Sequence, residues 1–78
     1  MKANEIYVLK FYILDPSSYD VINVDVKVFS SLEKANANLK ETAYKIYVDN
    51  EGDEVSIEDW EFELYDNYEY EIYSDIVN

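Results

Sequence analysis

Apolar and polar residues along this chain change period twice, from two to about three and a half and back to two. The first stretch, Glu5–Leu14 (EIYVLKFYIL), is dense in aromatic and β-branched residues and predicts a strand. Tyr7, Leu9, Phe11 and Ile13 fall on one side; Ile6, Val8, Lys10, Tyr12 and Leu14 fall on the other. Apolar residues on both sides predict a central strand, or one whose second face is partly covered. Asp15-Pro16-Ser17-Ser18 predicts a turn, because Pro fixes its own backbone angle and Asp and Ser bond locally. In Val21–Phe29, Ile22, Val24, Val26 and Val28 face one way and Asn23, Asp25 and Lys27 the other. That is the alternation of a half-buried antiparallel strand, so the first two strands form a hairpin.

The helical period begins after Ser30. Ser30 with Glu33 fits a capping box, in which each side chain satisfies the other residue's free backbone N–H. Leu32, Ala35, Leu39, Ala43 and Ile46 form a narrow apolar stripe, predicting a helix over Ser31–Tyr47 that lies close on the sheet. Tyr44–Val48 (YKIYV) reads equally as a short strand, and Asp49–Glu54, which holds the only Gly, as a loop.

Period two then returns. Trp60, Phe62 and Leu64 alternate with Glu61, Glu63 and Tyr65; Tyr68, Tyr70 and Ile72 alternate with Glu69, Glu71 and Tyr73. A helical alternative exists, since Ser56 and Asp59 could cap a short helix through Trp60, but the strict alternation favours a second hairpin. A two-residue loop at Asp66-Asn67 would set Leu64 opposite Glu69 and place carboxylates on the apolar face, which burial forbids. A three-residue loop over Tyr65–Asn67 pairs Leu64 with Tyr68, Phe62 with Tyr70 and Trp60 with Ile72, and asks Asn67 for a left-handed backbone. The fold expected is a single α+β domain over residues 1–78, ββαββ, with one antiparallel sheet and one helix packed across a face.

Composition narrows the functional classes. The chain has 78 residues and no Cys, so no disulfide staples it and an apolar core must hold it together. Nearly half of its residues are apolar and nine are Tyr, unlike a disordered acidic tail. The opening MKANEIYVLKFYIL has no signal-peptide core, and no run reaches membrane-spanning length, so a soluble cytoplasmic protein is expected. Abundant Lys, Asn, Tyr and Ile suggest an A/T-rich gene of a bacterium, phage or mobile element.

Without His or Cys the usual zinc sites and nucleophile–base pairs are missing. Without Arg there is no bidentate phosphate clamp, and one Gly cannot build a phosphate-cradling loop. Paired carboxylates could cleave glycosides, but so short a chain leaves little room for a cleft. DNEGDEVSIEDWE is rich in oxygen ligands, yet Gly52 falls at position 4 of a loop starting at Asp49 where an EF-hand needs it at 6. The expectation is a non-enzyme with no cofactor and no dedicated metal site.

The charge is lopsided. The formal net charge is −12, and residues 49–78 carry twelve acidic residues and no base. In the hairpin register above, Glu63 would oppose Glu69 and Glu61 would oppose Glu71, each pair costing about 0.75 kcal/mol in water at about 5.5 Å. Such carboxylates can simply keep a small β protein soluble, but carboxylates repeating every ~6.8 Å on a strand face could also imitate a nucleic-acid backbone. Direct binding of nucleic acid is excluded by repulsion. Glu58, Asp59, Glu61, Glu63, Glu69 and Glu71, with Tyr65 and Tyr73 interleaved, are therefore the candidate partner-binding residues, facing a basic surface of a nucleic-acid-binding protein.

By its size, missing Arg and the acidic stretch WEFELYDNYEYEIYSD, the chain resembles small acidic phage or mobile-element proteins that block host defence, including anti-CRISPR and anti-restriction DNA mimics. That resemblance implies an inhibitor that binds a nucleic-acid-handling protein of the host cytoplasm and does no chemistry. The contrasting expectation is a structural or regulatory module that self-associates through its sheet as a homodimer, with charge serving solubility alone.

Overall fold

The computed structural model describes residues 4–52 and 54–77. The chain folds as a small α+β domain in the order β1 (Asn4–Leu14), β2 (Val21–Phe29), α1 (Leu32–Glu51) and β3 (Tyr68–Val77). The sheet is antiparallel with three strands in the order β2-β1-β3. β1 is the central strand, as its two apolar sides require.

The β1–β2 hairpin closes on Asp15. Its carboxylate accepts the backbone N–H of Ser17 at 2.8 Å and of Ser18 at 3.2 Å, and its carbonyl accepts Tyr19 N–H at 2.8 Å. Tyr19 takes the left-handed backbone that turns the chain, with φ 61°. Beyond the turn the register runs from Leu14 opposite Val21 to Tyr7 opposite Phe29, with an irregularity between Ile13 and Leu14.

That register decides which side of β2 is covered. Leu9 pairs with Lys27 and Phe11 with Asp25, while Val8, Lys10 and Tyr12 pair with Val28, Val26 and Val24. Directly paired residues share a face, and Leu9 and Phe11 form the core with Leu39 of the helix. The polar side of β2 therefore lies under the helix layer, and the valine row lies on the open face, exposed to solvent. A one-residue shift would exchange the two sides, but it would turn Leu9 and Phe11 out of the core.

The helix starts one residue later than the capping box predicts. Ser31, not Ser30, is the N-cap; its extended backbone lets the hydroxyl accept Lys34 N–H at 3.2 Å. Ser30 instead accepts a bond from Lys34 Nζ at 3.0 Å. Ala35, Leu39 and Ala43 are buried, and Ile46 packs against the core, so the apolar stripe is the covered one. Leu32 is exposed.

The far end decides one open alternative and corrects one expectation. Tyr44–Val48 is helical, and Asp49, Asn50 and Glu51 continue the helix instead of forming a loop. Gly52 stops it, with φ 76° and its N–H donated to the Val48 carbonyl at 2.8 Å; a side chain in that left-handed conformation would be strained. Asp53 of the expected loop lies outside the described residues.

The expected second hairpin does not form, so the architecture is ββαβ, with three strands among the described residues instead of four. β3 pairs with the free side of β1, from Asn4 opposite Val77 to Ile13 opposite Tyr68. Trp60–Tyr65 makes no ladder. It is held by side chains: Trp60 stands against Tyr44 and Tyr47 of the helix, with ring centroids 5.7 and 5.6 Å away. Phe62 contacts Tyr70 edge-on at 5.9 Å, and Leu64 packs against the Leu9–Phe11–Leu39 core. Tyr70 pairs with Phe11, so this segment lies on the same face of the sheet as the helix. A Tyr65 carbonyl to Tyr68 N–H bond of 3.1 Å closes a tight turn over Asp66 and Asn67. Asn67 is not left-handed; Tyr19 is the sole residue besides Gly with positive φ among those described.

Candidate acidic interface

On β3 the alternation places Tyr68, Tyr70, Ile72 and Ser74 on the helix side, paired with Ile13, Phe11, Leu9 and Tyr7. Glu69, Glu71, Tyr73 and Asp75 take the open face, paired with Tyr12, Lys10, Val8 and Ile6. All four are exposed. Glu69, Glu71 and Tyr73 thus sit together on an ordered strand, as the alternation predicts, and Asp75 joins them as a site residue that the alternation did not single out. Its signal was the same two-residue step continued past Tyr73.

The opposed pairs do not occur. Glu71 faces Lys10 and Glu69 faces Tyr12, because β3 pairs with β1 and not with the 60–65 segment. Lys10 Nζ also lies 5.5 Å from the centroid of the Tyr73 ring, a cation–π contact. The repulsion inferred from the hairpin register is therefore absent, and one base moderates the acidic row.

The remaining candidates lie on the helix side of the molecule. Glu61 and Glu63 are exposed on the irregular segment that covers β3 there. Glu58 and Asp59 sit in the turn before it, which closes through Asp59 and Trp60 N–H groups bonded to the Ser56 carbonyl, each at 3.0 Å. Ser56 donates its hydroxyl to the Glu58 carboxylate. That bond, together with backbone N–H donation, holds the Glu58 pKa below its ordinary value. Tyr65 does not interleave with these carboxylates as a free contact. Its phenol donates to Glu51 Oε1 at 2.8 Å, and this bond pushes the Tyr65 pKa up to about 12.

The acidic residues thus form no flat plate. They flank the β3 edge, Glu69, Glu71 and Asp75 on one side and the segment bearing Glu61 and Glu63 on the other. The domain is thin enough for both sides to matter, with principal extents of 49 × 33 × 13 Å.

One open depression of about 350 Å³ lies beside the helix end, lined by Tyr44, Lys45, Val48, Asp49 and Glu54. Tyr44 donates its hydroxyl to the Val55 carbonyl at its rim. Among the described residues, no group of three or more acidic side chains is placed to hold a metal ion, and no helix is long and apolar enough to cross a membrane. Neither a protein family, nor a curated protein, nor a solved structure matches this chain.

Proposed function

We propose that this protein is a non-enzymatic acidic binder whose β3 edge occupies a basic, nucleic-acid-binding surface of another protein, as an inhibitor of the anti-CRISPR or anti-restriction type would do in the host cytoplasm. The observation that carries the reading is the row Glu69, Glu71, Asp75 held on one face of a paired strand, exposed and stepped by two residues with Tyr73 in the gap. Twice the strand rise sets successive positions of the row ~6.8 Å apart, which is about two phosphate steps along the axis of one nucleic-acid strand. Fixed charges on an ordered strand lose little entropy on docking, whereas the same charges on a flexible tail would have to be ordered first.

The two-sided edge changes the form of mimicry expected. A flat plate would lie on a basic surface, but an edge with carboxylates on both flanks enters a cleft lined by Lys and Arg from both walls. Tyr73 adds a rigid aromatic contact within the row. Glu58, Asp59, Glu61 and Glu63 would meet the second wall, and Tyr65 supports them by tying their segment to Glu51.

The test is capture from a lysate of the source cell on immobilised protein at low and at high salt, with mass spectrometry of what elutes. Retention of basic, nucleic-acid-handling proteins that salt releases is expected, since charge-led binding weakens as ions screen it. Reversing Glu69 and Glu71 to Lys, or Glu61 and Glu63 to Lys, should each abolish capture. Retention unaffected by both reversals, or no basic protein retained, would rule the reading out.

A further inference from the structure

The edge of the sheet away from the acidic strand has a different character. β2 leaves its outer side unpaired, and its open-face residues Val24, Val26 and Val28 are 42%, 53% and 58% exposed. Val8 sits on that same face with no layer above it, yet it is only 7% exposed, because β2 and β3 flank it at Val28 and Tyr73. A strand on each side is therefore enough to cover a valine on this face, and Val24, Val26 and Val28 have β1 on one side only. The whole molecule also shows more surface than a compact chain of its size: 5704 Å², against about 4,900 Å² expected from 9.2 kDa. Its radius of gyration is 14.6 Å, against about 11.5 Å for a compact domain of 78 residues.

We infer that two copies of this chain pair β2 against β2 in antiparallel fashion, about a two-fold axis through Val26, to form a continuous six-stranded sheet. The sequence of the edge is what selects the second copy as occupant. In Val24-Asp25-Val26-Lys27-Val28, polarity reads the same in both directions and charge reverses sign about Val26. Antiparallel pairing centred on Val26 sets Asp25 opposite the partner's Lys27 and Lys27 opposite the partner's Asp25. It also sets Val24 against the partner's Val28 on the open face. Centring on Asp25 would oppose two carboxylates, and centring on Lys27 would oppose two ammonium groups, both unfavourable. A two-fold axis requires such self-complementarity.

Both charged side chains are available. Within one chain they make an exposed contact of 3.7 Å, and Lys27 Nζ donates to Asn38 at 3.5 Å, both surface bonds of small worth. The strand has no Pro, and its register irregularity lies at the Ile13/Leu14 end; along Asn23–Phe29 the edge carries Lys27, and the Val24 N–H is donated to Asn23 Oδ1 at 3.0 Å, a local exposed bond that a paired strand would replace. The other edge strand could not pair this way, because Glu69, Glu71 and Asp75 find no base on β3 to oppose. Sheet order puts the acidic strands of the two copies five strand spacings apart, ~24 Å across the six-stranded sheet, about three Debye lengths at physiological salt. Repulsion between the copies is then largely screened at about 0.15 M salt and felt at about 0.01 M.

Sedimentation equilibrium of the full chain at about 0.15 M salt tests the inference, using Asp25→Lys, Lys27→Asp and an equimolar mixture of the two. Wild type should be a reversible dimer that weakens at low salt. Each single variant opposes like charges twice and should dissociate about tenfold more readily. The mixture should recover wild-type affinity as a heterodimer. In it the introduced lysine of one chain meets the introduced aspartate of the other, and the unaltered Lys27 and Asp25 meet across the axis as before. Circular dichroism of each variant alone checks that the fold is kept, and recovery in the mixture excludes misfolding as the cause of dissociation. A monomeric wild type would overturn the inference. So would a dimer indifferent to both variants, as expected if the open faces stacked, because Asp25 and Lys27 lie on the opposite face.

Discussion

The Tyr65 hydroxyl and the Glu51 carboxylate lie 2.8 Å apart, joining the acidic covering segment to the last residue of the helix. The contact ties a stretch without ladder bonds to a regular element, and it does so through a proton that alkali removes. The folded phenol holds that proton up to about pH 12, whereas an ordinary tyrosine releases it near 10.0. The unfolded chain therefore loses the proton first. Stability from this tether is complete below pH 10.0 and is lost as pH rises toward 12. Urea midpoints across that range should fall for wild type and flatten for Tyr65→Phe, and tyrosinate absorbance should show one phenol fewer titrating late in the variant.

Trp60 anchors the same segment from its other end. It is 6% exposed and touches Tyr44, Tyr47 and Phe62. Trp60→Ala should cost about 3–5 kcal/mol in denaturant unfolding, a large fraction of the roughly 4–12 kcal/mol such a domain holds. If the 60–65 segment were a dispensable flap, the loss would be well under about 1 kcal/mol.

Lys10 is the base set among the open-face acids. Lys10→Glu would face Glu71 with a like charge and remove the cation from the Tyr73 ring. A loss of about 1 kcal/mol is expected, reduced by salt. Unchanged stability at low salt would mean that the central and acidic strands do not share this face as described.

The helix start separates two adjacent serines. Ser31→Ala removes the side chain that accepts Lys34 N–H and should cost about 1 kcal/mol. Ser30→Ala removes only the bond accepted from the exposed Lys34 ammonium and should change the thermal midpoint little.

These particulars show where sequence reasoning holds. The Asp15 turn, the central position of β1 and the Ala35–Leu39–Ala43 face are local or periodic features, and each could be read directly. For β2 the alternation predicts a half-buried strand, but residues 21–28 are exposed throughout and the polar side lies under the helix layer, because the side that faces the helix depends on how Leu9 and Phe11 align with it. The alternation of Trp60, Phe62 and Leu64 is real and all three do pack against aromatic or core neighbours. Strand formation, however, needs a backbone partner, and the segment packs over the helix face of the sheet, Trp60 on Tyr44 and Tyr47 and Phe62 on Tyr70, instead of pairing along the free side of β3. For the candidate site, the same error moved Glu61 and Glu63 away from Glu69 and Glu71, since their grouping rested on the hairpin register. Asp75 was overlooked although its spacing was legible.

β1 is the one strand bonded to neighbours on both sides, and each outer strand is bonded on one side only. In heavy water, amide protons of Val8–Phe11 should therefore outlast those of the outer strands, while those of residues 61–64 in the covering segment exchange almost at once. The molecule's endurance is that of a single strip of backbone, and either flank can fray without releasing it.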